Sequence, residues 1–122
     1  MILDTNVIIY YIQRDPKVEL FMMENLNSIT PLYISVVSVT ELLGFPKLDQ
    51  IEAEAIEKIL STLAIIPIET RIARIAGVLH RLYGLKLADS LIASTALSMR
   101  VPLVTRNIND FKKIGQLTIH EV

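Results

Sequence analysis

The stretch MILDTNVIIYYI, residues 1–12, changes character at Asp4. Before Asp4 a short apolar run predicts a buried strand over residues 1–4, and after it the apolar pattern of residues 6–12 predicts a helix. Asp4, Thr5 and Asn6 are residue types favoured where a helix begins. The stretch therefore predicts a strand followed at once by a helix, with a carboxylate at the carboxyl end of the strand.

The same alternation of strand and helix continues along the chain. Further strands are predicted at residues 32–37, 64–67, 102–105 and, more weakly, 117–120. Helical patterns occupy residues 16–27, 39–44, 49–62, 70–83 and 87–99. This order is typical of a parallel sheet with helices on both faces. Because 122 residues support only one core, we expect a single α/β domain over residues 1–122 with a central, mostly parallel sheet.

Composition restricts the class of protein. Hydrophobic residues make up 52% of the chain and the mean hydropathy is +0.47, which favours a surface for self-association or for a partner. The longest apolar runs fall far short of the roughly 20 residues that cross a bilayer, so no membrane span is expected. The first residues do not resemble a secretory signal and the chain has no cysteine. We therefore expect a cytoplasmic protein.

The net charge of −1 conceals a division along the chain. Residues 1–69 carry four basic and ten acidic side chains, whereas residues 70–113 carry eight basic and two acidic ones. If several of these cations share a face they can bind a phosphate backbone, but ordinary solvated helix faces explain them equally well. The basic set is Arg71, Arg74, Arg81, Lys86, Arg100, Arg106, Lys112 and Lys113.

Two carboxylates follow predicted strands, and each has a structural alternative. Asp4 can cap the first helix. Glu41 stands three residues after Ser38, which fits a capping box as well as a binding role. In a parallel sheet the crevice for chemistry lies beyond the carboxyl ends of the strands, which is where both acids are predicted to lie.

Two further groups approach the same place. Asp89 lies on the apolar, small-residue face of helix 87–99, where a carboxylate is costly unless a cation or several donors compensate it. A first-turn acid favoured by the helix dipole is its alternative role. Thr105, Asn107 and Asp110 follow the strand 102–105, although turn formation also explains Asn107 and Asp110.

Carboxylates gathered at one place repel each other, and a divalent cation relieves that repulsion. An all-oxygen set with several retained waters suits Mg²⁺ or Mn²⁺ better than zinc. His80 and His120 stand alone in the sequence, and we interpret both as structural or surface residues.

With these residues assembled, the chain resembles the PIN-domain family, and in particular the VapC-type toxins of toxin–antitoxin pairs. The resemblance spans residues 2 to 111 and rests on four segments, Ile2-Leu3-Asp4-Thr5-Asn6, Ser38-Val39-Thr40-Glu41-Leu42, Leu87-Ala88-Asp89-Ser90-Leu91-Ile92-Ala93, and Leu103-Val104-Thr105-Arg106-Asn107 with Asp110-Phe111. It implies a three-layer α/β/α sandwich, a homodimer, and a cognate antitoxin whose segment fills the active-site groove.

The resemblance also implies roles for the site residues. Asp4, Glu41 and Asp89 would be the metal-binding acids of an Mg²⁺- or Mn²⁺-dependent endoribonuclease. Many PIN domains carry an aspartate where this chain has Asn107, so the fourth acid is either absent or supplied by Asp110. Asn107 could then orient water. The residues expected to orient waters or contact the RNA substrate are Thr5, Asn6, Thr105 and Arg106.

Two other functions compete with the nuclease. A PIN-like protein that has lost cleavage would still bind RNA or a protein partner. A protein that forms an aspartyl-phosphate would also place an aspartate after its first strand. Phosphatases of the haloacid-dehalogenase type, however, need a second aspartate two residues on, where this chain has Asn6. A response-regulator receiver would need acids before the strand, where this chain begins.

Overall fold

Five short strands form one parallel sheet in the computed structural model, which describes residues 1–122. The strands are β1 (Ile2–Leu3), β2 (Tyr33–Ser35), β3 (Ala64–Ile66), β4 (Leu103–Thr105) and β5 (Ile119–Glu121). Seven helices connect them, α1 (Thr5–Ile12), α2 (Pro16–Leu26), α3 (Val36–Leu43), α4 (Gln50–Leu60), α5 (Thr70–Tyr83), α6 (Leu87–Met99) and α7 (Ile108–Phe111). The α/β class is confirmed, and every strand pairing is parallel.

The predicted boundary between β2 and α3 is wrong. The sequence predicts a strand through residue 37, whereas the helix already begins at Val36. The Ser35 hydroxyl accepts the N–H of Val37 at 3.3 Å and caps the helix, so the two valines enter its first turn despite their β-branched side chains. Helix α7 has no counterpart among the predicted helices, because four residues are too few to display an apolar period.

The sheet separates two apolar layers. Neighbouring residues on a strand face opposite sides, and Ile2 packs in one hydrophobic cluster while Leu3 packs in the other. Leu103 and Val104 divide in the same way. The cluster of Leu3 contains buried side chains of α1, α2, α3 and α4, and the cluster of Ile2 contains those of α5, α6 and α7. This is the three-layer α/β/α arrangement that the resemblance implies.

The strand order brings two distant segments together at the centre of the sheet. The order is β3-β2-β1-β4-β5, so the chain builds outward from β1 on one side and then returns to add β4 on the other. The register pairs Leu3 with Val104, which places the next residues, Asp4 and Thr105, side by side at the carboxyl ends. Such a switch point is where open parallel sheets bind ligands.

Helix α6 carries small residues on the face that packs inward. Ser90, Ala93, Ser94 and Ala96 are all completely buried. Small side chains let a helix lie close to its neighbours, and the first turn of α6 carries Asp89. None of the seven helices combines the length and apolarity needed to cross a membrane.

We expect Ala96→Leu to destabilise the protein, because the buried site has no room for three extra carbon atoms. The free energy of unfolding should fall by about 1–3 kcal/mol, the usual cost of overpacking a core. The matched control is Ala73→Leu on the exposed side of α5, which should change it by less than about 0.5 kcal/mol. Denaturant titration monitored by circular dichroism measures both, and equal effects would contradict the close packing of α6.

Candidate active site

A polar pocket of about 270 Å³ opens at the carboxyl ends of β1 and β2. Asp4, Glu41 and Asp89 all line it, although 85 residues separate the first from the last. Thr5 and Asn6, from the first turn of α1, also lie in its wall. The structure therefore brings three carboxylates from β1, α3 and α6 to one cavity.

Asp4 is the most deeply buried of the three acids, with 3% of its surface exposed. It occupies the N-cap position of α1, yet its side chain makes no capping hydrogen bond. The Thr105 hydroxyl donates to Asp4 Oδ2 at 2.8 Å. Burial raises the pKa of Asp4, the hydrogen bond from Thr105 opposes that rise, and the charge of Glu41 adds to it. The Asp4 carboxylate thus bonds to Thr105 and makes no capping hydrogen bond to α1.

Glu41 is held by hydroxyl groups rather than by the start of its own helix. Thr5 Oγ1 lies 2.6 Å from Glu41 Oε1 and 2.8 Å from Ser38 Oγ. A hydroxyl has one proton and an ionised carboxylate can only accept, so Thr5 donates to Glu41 and Ser38 donates to Thr5. Ser38 lies inside α3, whose cap is Ser35. The capping box between Ser38 and Glu41 is therefore wrong.

Asp89 has a strongly raised pKa. Burial raises its pKa to about 6, and the negative charges of Asp4, Glu41 and Asp110 contribute to the rise. Lys86 opposes it. The position of Asp89 in the first turn of α6 favours a negative charge, but that effect does not outweigh burial and repulsion. A nearby positive charge, rather than the helix dipole, would stabilise this carboxylate.

The residues of the pocket fit a hard divalent cation. All of its polar groups present oxygen or amide donors, whereas His80 bonds to the carbonyl of Leu85 and His120 packs against Phe21. No three acidic, histidine or cysteine side chains form a group tight enough to hold an ion by themselves. Mg²⁺ characteristically uses only one or two carboxylates and keeps several waters, so an open arrangement of this kind suits it.

Of the predicted site residues that end or follow β4, only Thr105 contacts a carboxylate of the pocket. Asn107 Nδ2 donates to Asp110 Oδ2 at 2.9 Å, and neither residue lines the pocket. Asp110 is still near enough for its charge to raise the pKa of Asp89. Arg106 forms two hydrogen bonds with Asp15 instead of facing the carboxylates. The structure thus brings Thr105 to the acids and directs the Arg106 side chain elsewhere.

Three features of the site have no clear signal in the sequence. Ser38 supports Thr5 from the next helix, and Asp15 holds Arg106 across 91 positions of the chain. Gly44 lies in the pocket wall, where a Cβ atom would come within 2.6 Å of the Thr40 carbonyl oxygen. A glycine just after a helix is a signal for a helix end, but nothing in the sequence indicates the partners of Ser38 or Asp15.

The chain is similar to known proteins over nearly its whole length. A family model described as the PIN domain matches residues 1–117. A toxin–antitoxin complex from Klebsiella pneumoniae is 29% identical with a TM-score of 0.80, over 99% of this chain and 98% of that one. VapBC2 from Rickettsia felis, bound to a DNA fragment from its promoter, is 25% identical with a TM-score of 0.86, over 99% and 97%. VapBC-1 from nontypeable Haemophilus influenzae is 26% identical with a TM-score of 0.80, over 98% and 96%. No curated protein matches the sequence.

We expect Asp89→Asn to stabilise the protein at neutral pH in the presence of a chelator. The pKa of Asp89 rises from 3.8 to about 6 on folding, so the folded state retains a proton that the unfolded state has lost between these values. The stability of the wild type therefore falls as pH rises through that window, while an asparagine has no proton to lose.

Melting temperatures should coincide below about pH 4 and separate progressively up to about pH 7, with the variant higher. Scanning calorimetry across this range measures the difference. Glu57→Gln, which neutralises an exposed acid of α4, is the control and should show no such separation. A difference that is constant with pH would contradict the shifted pKa.

Proposed function

The chain belongs to the PIN-domain family, and on that premise we propose that it is a metal-dependent endoribonuclease, the toxin of a VapBC-type toxin–antitoxin pair. The observation that carries the proposal is the convergence of Asp4, Glu41 and Asp89 on one pocket. The raised pKa of Asp89 supports it, because a carboxylate repelled by its neighbours gains most from a bound cation. An RNA substrate accords with the cytoplasmic location expected from the sequence.

Asp4, Glu41 and Asp89 would together hold a Mg²⁺ or Mn²⁺ ion, one or two of them directly and the others through its waters. When bound, such an ion supplies positive charge that lowers the pKa of water and stabilises negative charge on a phosphate. The reaction is hydrolysis, in which the oxygen of water bonds to phosphorus and the bond to the leaving sugar oxygen breaks. It needs no covalent intermediate with the protein.

The other residues of the pocket orient these groups. Thr105 fixes one oxygen of Asp4, and Thr5 fixes one oxygen of Glu41, so both acids present their remaining lone pairs in set directions. Asn6 is exposed at the start of α1, where its amide and the positive end of the helix dipole favour a phosphate oxygen. Asn107 orients Asp110, which we propose as an outer carboxylate close to the ion.

An apolar groove beside the pocket supports a protein partner for the same site. It is lined by Leu42, Leu48 and Ile56, and shares Ile9, Phe45 and Pro46 with the carboxylate pocket. A segment lying in the groove would therefore end next to the acids. We propose that a cognate antitoxin occupies it, as the complexes of similar chains suggest. Val78 and Leu82, two exposed apolar side chains four residues apart on α5, support a homodimer.

Cleavage of RNA should depend on individual carboxylates. We expect Asp4→Asn and Asp89→Asn each to lower the rate of RNA cleavage in Mg²⁺ by at least about 100-fold, since even groups that only support a metal ligand cost 10–100-fold. Chelation by EDTA should abolish the activity of the wild type. The matched control is Glu57→Gln, which should cleave at the wild-type rate.

The measurement is cleavage of labelled total RNA by purified protein, followed by gel analysis. Full activity of either aspartate variant would refute the site assignment. Retained RNA binding with no cleavage by the wild type would instead identify an inactive, binding member of the family.

The antitoxin should depend on the groove. Phe45 is 51% exposed at the junction of groove and pocket, so Phe45→Ala should weaken binding of the antitoxin encoded beside this chain by at least about tenfold, as for a central interface aromatic. Ile29→Ala, which truncates a fully exposed isoleucine between α2 and β2, is the control. Isothermal titration calorimetry measures both, and equal losses would show that the antitoxin does not use the groove.

A further inference from the structure

The guanidinium of Arg106 makes its contacts near the C-terminal end of α1, whereas Asp4 precedes the first residue of that helix. Its two terminal nitrogens donate to the two oxygens of Asp15 at 2.7 and 2.8 Å. Its Nε donates to the backbone oxygen of Val122 at 2.9 Å, and its central carbon lies 4.6 Å from the centre of the Tyr10 ring. A guanidinium held by a planar carboxylate and stacked on an aromatic ring is fixed in orientation as well as position.

This contact lies too far from the pocket for Arg106 to share in binding there. Asp4 precedes the first residue of α1, and Asp15 follows its last turn. The eight residues of the helix span about 12 Å at 1.5 Å per residue. Arg106 would have to break all its contacts to reach a phosphate beside Asp4. The expectation that Arg106 binds the substrate therefore has no support in the geometry.

The backbone of Arg106 nevertheless adjoins the site, because its two neighbours in the chain connect it to Asp4. Its neighbour Thr105 donates a hydrogen bond to Asp4, and its other neighbour, Asn107, donates its backbone N–H to Thr105 Oγ1 at 2.9 Å. Because that N–H occupies a lone pair of the hydroxyl, the single hydroxyl proton is directed at the carboxylate. The turn at residues 105–107 thus sets the orientation of Asp4.

We propose that Arg106 is a positioning residue, which anchors the turn at residues 105–107 to Asp15 and thereby holds the Thr105 hydroxyl on Asp4. The proposal rests on the proposed nuclease function. Asp15 is itself fixed, because it caps α2 by accepting the N–H groups of Lys17 and Val18. The two ends of α1 are then linked, one through Asp4 and Thr105 and the other through Asp15 and Arg106.

The test separates positioning from substrate contact. Arg106→Gln and Asp15→Asn should each lower kcat for RNA cleavage about tenfold while KM stays within about twofold. The salt dependence of RNA binding should not change in either variant. Asp15→Asn suits the test because asparagine retains the ability to cap α2. The control is Arg14→Gln, which removes an arginine paired with Glu19 on the surface and should leave kcat and KM unchanged.

A double variant tests the route of the effect. If Arg106 acts through Thr105, Arg106→Gln should cost little further activity in a Thr105→Val background, since the hydroxyl is already absent. Full additivity of the two losses would overturn the proposal. Two results in Arg106→Gln alone would also overturn it: a raised KM, and a slope of log RNA-binding constant against log salt concentration that is smaller by about one. Together these results identify a phosphate contact.

Amide exchange tests the anchor without relying on activity. The Asn107 N–H should exchange with solvent faster in Arg106→Gln and Asp15→Asn than in the wild type, and at the wild-type rate in Arg14→Gln. Unchanged exchange in the first two would overturn the proposal even if RNA is cleaved. A wild-type protein that cleaves no RNA but shows the faster exchange in these variants would overturn the nuclease and leave the anchor standing. If Arg106→Gln fails to fold, Arg106→Lys replaces it, because lysine keeps the charge but cannot form both hydrogen bonds.

Discussion

The repulsion among Asp4, Glu41 and Asp89 is the constraint on which the rest of the site depends. Three carboxylates at the end of one sheet are unfavourable by themselves: burial raises the pKa values of Asp4 and Asp89, and the charges of the neighbouring acids raise them further. The fold tolerates it because two apolar layers on either side of the sheet stabilise the domain independently of the pocket. Active sites commonly keep such local destabilisation, since it favours binding of the compensating charge.

Hydroxyl groups, not cations, hold Asp4 and Glu41 in place. Thr105 donates to Asp4 and Thr5 donates to Glu41, and each of these hydroxyls is oriented by a second donor, Asn107 or Ser38. A lysine or arginine at these positions would neutralise the acids and remove their attraction for a metal ion. A hydroxyl fixes the direction of a carboxylate while leaving its charge intact. The only arginine next to the site is turned away and neutralised by Asp15.

Apart from the short helix α7 and the start of α3, the elements of the fold could be predicted from the sequence, because each depends on a local pattern. The alternation of strands and helices and the boundary at Asp4 were sufficient for the α/β class and for the gathering of the acids. The support of Thr5 by Ser38 could not be predicted, since the sequence suggests a local capping role for Ser38 and its true partner lies 33 residues away. The pairing of Arg106 with Asp15 could not be predicted for a related reason, because a cation next to a predicted site suggests substrate binding unless its distant acid is known.

The two-residue strand β1 links the core to the chemistry. Ile2 and Leu3 face opposite apolar layers, and Asp4 follows directly. If β1 shifted by one residue against β4, Ile2 and Leu3 would each face the opposite apolar layer. Asp4 would also no longer lie beside Thr105. A wrong register of β1 therefore destabilises the fold and disrupts the pocket at the same time. The register of β1 therefore determines both the stability of the fold and the alignment of the pocket. Molecules that are stably folded but have a misaligned pocket should not accumulate.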